Sequence, residues 1–283
     1  MIDLHVHTTY SDGTFTPSEV VRYAKEKGLT AIAITDHDCV FGVDEAQETG
    51  NNHGIEVISG VELSVNHETH QFHMIGLMID VQDTVLKKAI EKQIKTIEQS
   101  TERLFDRLIA SGFNHISFDE FRTQGNASSK GHYKQYMASA NISTDVKDLE
   151  KYIGKDGIAY ALSSLRGLLT FADAIDVIHS AGGLTILAHP LADKGTVHKL
   201  GLNGLEQTVA SFKAMNLDGF EAYYRGLTQE EFKYVCNLAD KHQLLVSVGS
   251  DFHGDTRYAD LGTSYQNEKI PYSVLNSLKR GLK

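Results

Sequence analysis

Between Ile2 and Asp38 the chain reads as strand, capped helix, strand, and that unit constrains the fold more than any bulk property of the sequence. Ile2 to His7 has the alternation of a strand. Thr16-Pro17-Ser18-Glu19 supplies an N-cap threonine, a proline at the first helical position and the glutamate of a capping box, and Gly28 stops the helix. Thr30 to Thr35 is a second short apolar strand, ending at Asp36-His37-Asp38. Two strands joined through one helix require parallel pairing and a right-handed crossover, so the opening unit already sets the class as α/β.

The rhythm continues with a strand over Glu56 to Ser64 carrying Glu62 near its end, and with a fourth strand that begins at His73. From Thr84 to about Ile109 the apolar residues Val85, Leu86, Ala89, Ile90, Ile94, Ile97, Leu104, Phe105 and Leu108 keep helical spacing and predict one long helix. Gly112 to Arg166 is mostly polar, with a short helix expected over Asp145 to Tyr152. Residues 85–168 therefore read as a mainly helical insertion, with 1–84 and 169–283 forming the main domain. The pattern then returns: Thr170 caps a helix to Ala181, Leu184 to His189 is a strand, and another segment runs Gly219-Phe220-Glu221-Ala222-Tyr223-Tyr224. A helix capped by Thr228 and Glu231 precedes the strand from Leu244 to Ser250, which runs into Asp251-Phe252-His253.

Chemistry is concentrated at the strand ends. In the first strand Asp3, His5 and His7 share one face, where a strand buried on both sides would carry aliphatic residues. A metal ion is the commonest reason for such a substitution. His5, His7, Asp12, His37, Glu62, His73, His189, Asp251 and His253 lie at or just beyond predicted strand ends, except His5, inside its strand, and His73, at the start of its own. Six imidazoles and three carboxylates without a thiolate suit Mn, Zn or Fe in a catalytic role, and nine ligands can hold two to three divalent ions.

The remaining histidines have blander readings. His67 and His70 belong to a solvated loop, and His53, His115, His179, His198 and His242 to the surface. Cys39 and Cys236 match no CxxC pattern and read as core filler. A net charge of −10 argues against gripping long duplex nucleic acid, although bound cations can reverse the field locally for a phosphorylated substrate. No apolar run approaches the ~18 residues of a membrane span and no basic-then-apolar leader opens the chain, so the expected location is cytoplasmic. The oligomeric state is not legible.

The motifs Asp3-Leu4-His5-Val6-His7 with Ser11-Asp12-Gly13, Thr35-Asp36-His37-Asp38, Gly60-Val61-Glu62, His73, Ala188-His189-Pro190 and Gly249-Ser250-Asp251-Phe252-His253 resemble, in order, those of the PHP family of metal-dependent phosphoesterases. Asp12 and the insertion resemble the subgroup of nucleoside 3′,5′-bisphosphate phosphatases and 5′-to-3′ RNA exonucleases. The resemblance implies a distorted (β/α)7 TIM-like barrel. One ion would sit on His5, His7, Glu62 and Asp251, a second on Glu62, His73 and His189, and a third on Asp12, His37 and His253. It further implies that a metal-bridging hydroxide attacks phosphorus, with Glu62, Asp251 and His37 as catalytic residues.

Asp36 and Asp38 are expected to accept hydrogen bonds from imidazole N–H groups. Lys130 and His132 stand where the subgroup has an Arg-Pro-His element, and with Arg166 and Arg225 they are candidate substrate contacts. Lysine lacks the bidentate fork of arginine, and His189-Pro190 is followed by Leu191-Ala192-Asp193 instead of the frequent Gly-Arg, so substrate identity carries over less directly than the metal set. The expected reaction is hydrolysis of a phosphate monoester of a small nucleotide, the 3′-phosphate of nucleoside 3′,5′-bisphosphates above all. The alternatives are histidinol phosphate, the 5′ end of short RNA, or a non-catalytic metal-binding module.

Overall fold

The computed structural model describes residues 1–68, 70–124, 136–137, 139–140, 168–191, 200–223, 227–255, 260–263 and 270–282. The first unit forms as expected: β1 (Ile2–Val6), α1 (Pro17–Glu26) and β2 (Ala31–Ile34), with Thr16 and Glu19 closing the capping box. After it come α2 (Val43–His53), β3 (Glu56–His67), β4 (His70–Leu77), α3 (Thr84–Ala110) and α4 (Phe118–Gln124). The chain returns through β5 (Leu169–Thr170), α5 (Phe171–Ser180), β6 (Leu184–Leu187), α6 (Gly201–Ala214), β7 (Gly219–Tyr223), α7 (Gln229–His242), β8 (Leu245–Val248) and α8 (Ser273–Gly281). The predicted helix over Asp145 to Tyr152 lies outside the described residues.

These strands make one sheet in the order β1-β2-β3-β4-β6-β7-β8, with β5 added beside β3. It is a curled, open sheet among α-helices, and the full barrel expected from the motifs is not closed by a strand ladder. Its two edges meet beyond the strands, where His7 N–H donates to Phe252 O at 2.9 Å and Phe252 N–H to His5 O at 3.3 Å.

Two local features depart from a uniform parallel sheet. β4 pairs antiparallel with both β3 and β6. Reversal puts the beginning of β4 beside the carboxyl ends of its neighbours, which is why His73 joins the other strand-end residues although it begins its predicted strand. The β3–β4 pairing reaches His67 and His70, so these two are opposed strand residues and the loop reading is corrected. β1 pairs Asp3 with Ile32 but Val6 with Ile34, so it holds one extra residue there, and such a bulge re-aims the side chains around His5.

Both sheet faces are covered. Ile2, Leu4, Ala31, Ala33, Leu184 and Ile186 pack with Leu275 and Leu278 of α8, while Ile32, Ile34, Val61 and Leu63 pack in the larger core with α1, α2 and α5. Val6 joins this second cluster as the bulge requires. A third, separate cluster within the 85–168 stretch contains Phe105, Leu108, Ile116, Phe121, Tyr136 and Met137.

Candidate metal centre

Glu62 is fully buried on β3, and five imidazoles surround its carboxylate. Its Oε2 lies 3.2 Å from His5 Nε2, 3.3 Å from His7 Nε2 and 3.1 Å from His37 Nδ1. Its Oε1 lies 3.0 Å from both His73 Nδ1 and His189 Nε2. The rings themselves form a closed circuit, with centroids 5.1 Å apart for His5 and His7, 4.5 Å for His7 and His37, and 4.9 Å for His37 and His73. From His73 to His189 the separation is 5.3 Å and from His189 back to His5 it is 5.8 Å. β1 and the residue after it, β4 and the loops after β2 and β6 contribute the rings of this circuit, and β3 places Glu62 among them. Only the curl of the sheet brings them to one place.

Asp251 joins one side, its Oδ1 3.1 Å from His7 Nε2 and 3.3 Å from His5 Nε2. Asp12 joins another, its Oδ1 3.2 Å from His253 Nε2, 3.7 Å from His7 Nδ1 and 3.8 Å from His37 Nε2. All nine residues singled out in the sequence therefore converge. Three groups have ligand atoms within 4.8 Å of one another: His5, His7, Glu62 and Asp251; His37, Glu62 and His73; and His7, Asp12, His37 and His253. The first matches the expected set. In the other two His37 and His7 are shared between groups, and His189 reaches Glu62 without completing a group.

The donor set fits cations. His5 Nε2, Asp12 Oδ1 and Glu62 Oε2 are buried and make no hydrogen bond although each faces oppositely charged or polar atoms. Buried polar atoms left this way are costly, and a divalent ion is the partner that satisfies imidazole nitrogen and carboxylate oxygen together. Electrostatics say the same. Burial works against protonating His5, yet Glu62, Glu221 and Asp251 outweigh it and raise its pKa well above the ordinary value. For His7 burial is likewise outweighed, by Asp251 and Glu62, and the pKa rises to about 10. Glu62 is held well below the carboxylate range against its burial by His5, His73 and His37. His37 goes the other way, down to about 3, with burial the foremost cause and His7 and His73 adding to it.

The loops that hold these groups are strained and polar. Asp38, His189 and Asp251 have φ of 49°, 29° and 57°, a region costly for residues other than glycine and frequent at functional sites. Asp36 was expected to face an imidazole, but its carboxylate accepts from Thr8 N–H at 2.7 Å, Thr8 Oγ1 at 2.7 Å and Ser11 Oγ at 2.6 Å. It reaches His7 one bond removed, because Ser11 Oγ lies 3.4 Å from His7 Nδ1. Asp38 was expected to do the same and instead accepts from Ser64 N–H at 2.8 Å and Gln93 Nε2 at 2.5 Å.

Three further buried residues support the site: Asp3, which the sequence placed on the histidine face, and Gln93 and Glu221, to which it assigned no role. Asp3 accepts from Ser250 N–H at 2.9 Å, Ser250 Oγ at 2.5 Å and Gly262 N–H at 2.7 Å, tying β1 to the loop beyond β8. Burial pushes its pKa up to about 6 against those hydrogen bonds. Gln93 of α3 donates to Asp38 Oδ1 and to Ser64 O at 2.7 Å and accepts from Leu169 N–H at 2.8 Å. Glu221 of β7 accepts from His5 Nδ1 at 2.9 Å and from His189 N–H at 2.8 Å. A lone acid inside the apolar run Gly219-Phe220-Glu221-Ala222 was the available signal for the last. Lys130, His132, Arg166 and Arg225 lie outside the described residues.

Comparison with known proteins agrees with this geometry. The PHP domain profile matches residues 3–164, more than half of the chain. A protein of Haemophilus influenzae named a 5′-3′ exoribonuclease is 31% identical over 262 residues, 92% of each chain. A 3′,5′-nucleoside bisphosphate phosphatase of Chromobacterium violaceum is 30% identical over 258 residues, covering 89% of this chain and 87% of that one. Among solved structures, a putative metal-dependent phosphoesterase from Bifidobacterium adolescentis superposes with a TM-score of 0.80 at 25% identity, over 100% of this chain and 96% of that one.

Proposed function

Because the chain belongs to the PHP domain family and is a metal-dependent phosphoesterase, we propose that it removes a phosphate from a small nucleotide, the 3′-phosphate of a nucleoside 3′,5′-bisphosphate above all. The observation that carries the reading is Glu62, fully buried, with its two oxygens facing different imidazoles. In this reading His5, His7, Glu62 and Asp251 hold one divalent ion, Glu62 with His73 and His189 a second, and Asp12, His37 and His253 a third, Mn, Zn or Fe being the metals that suit such donors. Bound there, the ions would supply Lewis acidity toward a phosphoryl oxygen and lower the pKa of a coordinated water.

The chain's own residues do the rest. Glu62 joins two subsites through its two oxygens. Asp12, His37 and His253 have side chains 14%, 20% and 33% exposed, against 0% for His5, His7 and Glu62, so their cluster is the side open to an entering phosphate. The 85–168 stretch has an apolar cluster of its own; in this reading it is the cap, and its Lys130 and His132 hold the substrate's second phosphate. The curled sheet is, in this account, the family's distorted (β/α)7 barrel.

A phosphate-release panel tests the proposal. Protein loaded with Mn, Zn or Fe should hydrolyse a nucleoside 3′,5′-bisphosphate with a higher kcat/KM than histidinol phosphate, a sugar phosphate or 5′-phosphorylated short RNA. Preference for the RNA would favour the exonuclease reading, which the Haemophilus relative supports. Metal-loaded protein inert toward every phosphoester would remove the catalytic one.

A further inference from the structure

Glu221 is a fully buried carboxylate that serves two of the converging histidines, one on β1 and one in the loop after β6. Its Oε1 takes the Nδ1–H of His5 on β1, and its Oε2 takes the backbone N–H of His189, whose φ of 29° is unfavourable for a residue with a side chain. Gly249 makes room for the arrangement: a Cβ there would come within 2.1 Å of His5 Cβ and 2.7 Å of Glu221 Oε1. Strands β1 and β7 and the loop after β6 are thus tied at one buried point.

We infer that Glu221 is a positioning residue that fixes the His5 ring with its proton on Nδ1, leaving Nε2 to face Glu62 and Asp251, and at the same time anchors the strained His189 backbone. The inference rests on the metal-dependent reading of the site. A neutral imidazole carries one N–H, and the group bonded to one nitrogen decides which nitrogen is left to bind a metal. With Glu221 accepting at Nδ1, the lone pair at Nε2 points to the carboxylates Glu62 and Asp251, 3.2 and 3.3 Å away.

Glutamine cannot replace it, although glutamine has nearly the same volume. A carboxylate accepts on both oxygens, whereas a carboxamide accepts on one side and donates on the other. Either amide rotamer therefore sets a donor against a donor. If the NH₂ faces His5, relief comes by moving the imidazole proton to Nε2, which removes the nitrogen that would bind metal. If it faces His189, the buried backbone N–H loses its acceptor. Alanine leaves space in which a water can accept from both. A carboxylate that merely filled volume would give the opposite order, with glutamine harmless and alanine damaging.

The test measures Zn²⁺ affinity by chelator competition for wild type, Glu221→Gln and Glu221→Ala, with circular dichroism and thermal unfolding of the metal-free forms as the control for folding. The expected result is a loss of affinity at the tightest site of about 10–100-fold in Glu221→Gln, the range found when such outer partners are removed, and a smaller loss in Glu221→Ala. Wild-type affinity in a folded Glu221→Gln would overturn the inference and leave the metal reading standing. Should Glu221→Gln fail to fold, unchanged affinity in Glu221→Ala would overturn it equally. A wild-type protein that binds no Zn²⁺ would overturn the metal reading and the inference with it.

Discussion

At the scale of single residues, Glu62 carries the greatest chemical demand, since one buried carboxylate faces five imidazoles and is kept ionised by them. Replacing it with glutamine keeps the shape but puts an NH₂ donor where two groups of ligands need a shared anionic oxygen. Glu62→Gln should lower turnover of the metal-loaded enzyme by about 100-fold or more, roughly 2.7 kcal/mol of barrier at 1.36 kcal/mol per decade. Elemental analysis should show fewer ions per chain in the same variant. Near wild-type turnover with full metal content would mean that Glu62 is not shared between subsites.

At the scale of elements, the join between α3, β5 and the site depends on Gln93. The side chain is 1% exposed, and its amide makes three hydrogen bonds, to Asp38, Ser64 and Leu169. These partners belong to the loop carrying His37, to the strand carrying Glu62 and to the strand by which the chain returns from the 85–168 stretch. Gln93→Leu would fill the space and leave a buried carbonyl, a buried N–H and part of a carboxylate without their partner. Asp38 keeps its bond from Ser64 N–H, so the carbonyl and the N–H dominate, and at about 1–3 kcal/mol for each the expected loss of stability is about 2–6 kcal/mol, read from the midpoint of urea unfolding at unchanged m-value. A loss below about 0.5 kcal/mol would indicate that water takes over the amide's role.

At the scale of the molecule, α8 is pinned to the sheet by charge as well as by Leu275 and Leu278. Lys279 Nζ lies 2.5 Å from Glu56 Oε1, and the Tyr272 hydroxyl donates to the same carboxylate. Burial tends to raise the Glu56 pKa, but Lys279 and Tyr272 outweigh it, so the folded-state value lies below the ordinary 4.5. A carboxyl depressed on folding stabilises above its unfolded pKa and loses that contribution as the pH falls through its folded value. Glu56→Gln should therefore cost about 0.5–1 kcal/mol near neutral pH, the pair being partly exposed, and the gap in Tm between variant and wild type should narrow as the pH falls below the ordinary 4.5. A gap independent of pH would assign the effect to packing.

Most of the nine residues of the centre were legible because a histidine or an acid stands in or at the end of an apolar strand, where alternation and burial demand an aliphatic side chain, whereas Asp12, in the loop after β1, was legible through the motif that it completes. The caps at Thr16, Thr170 and Thr228 were legible because each is a contact between residues three apart. What the sequence left undecided depends on contacts between distant positions. The Glu221–His5 bond spans 216 residues, and no local pattern reports which strand lies beside which. The reversal of β4 and the bulge in β1 are decided by register, since a one-residue slip exchanges the two faces of a strand without altering its composition. The sequence by itself determined which acids and histidines stand at the strand ends. Tertiary structure decided which carboxylate oxygen faces which imidazole, because only the curled sheet brings the two within hydrogen-bond reach.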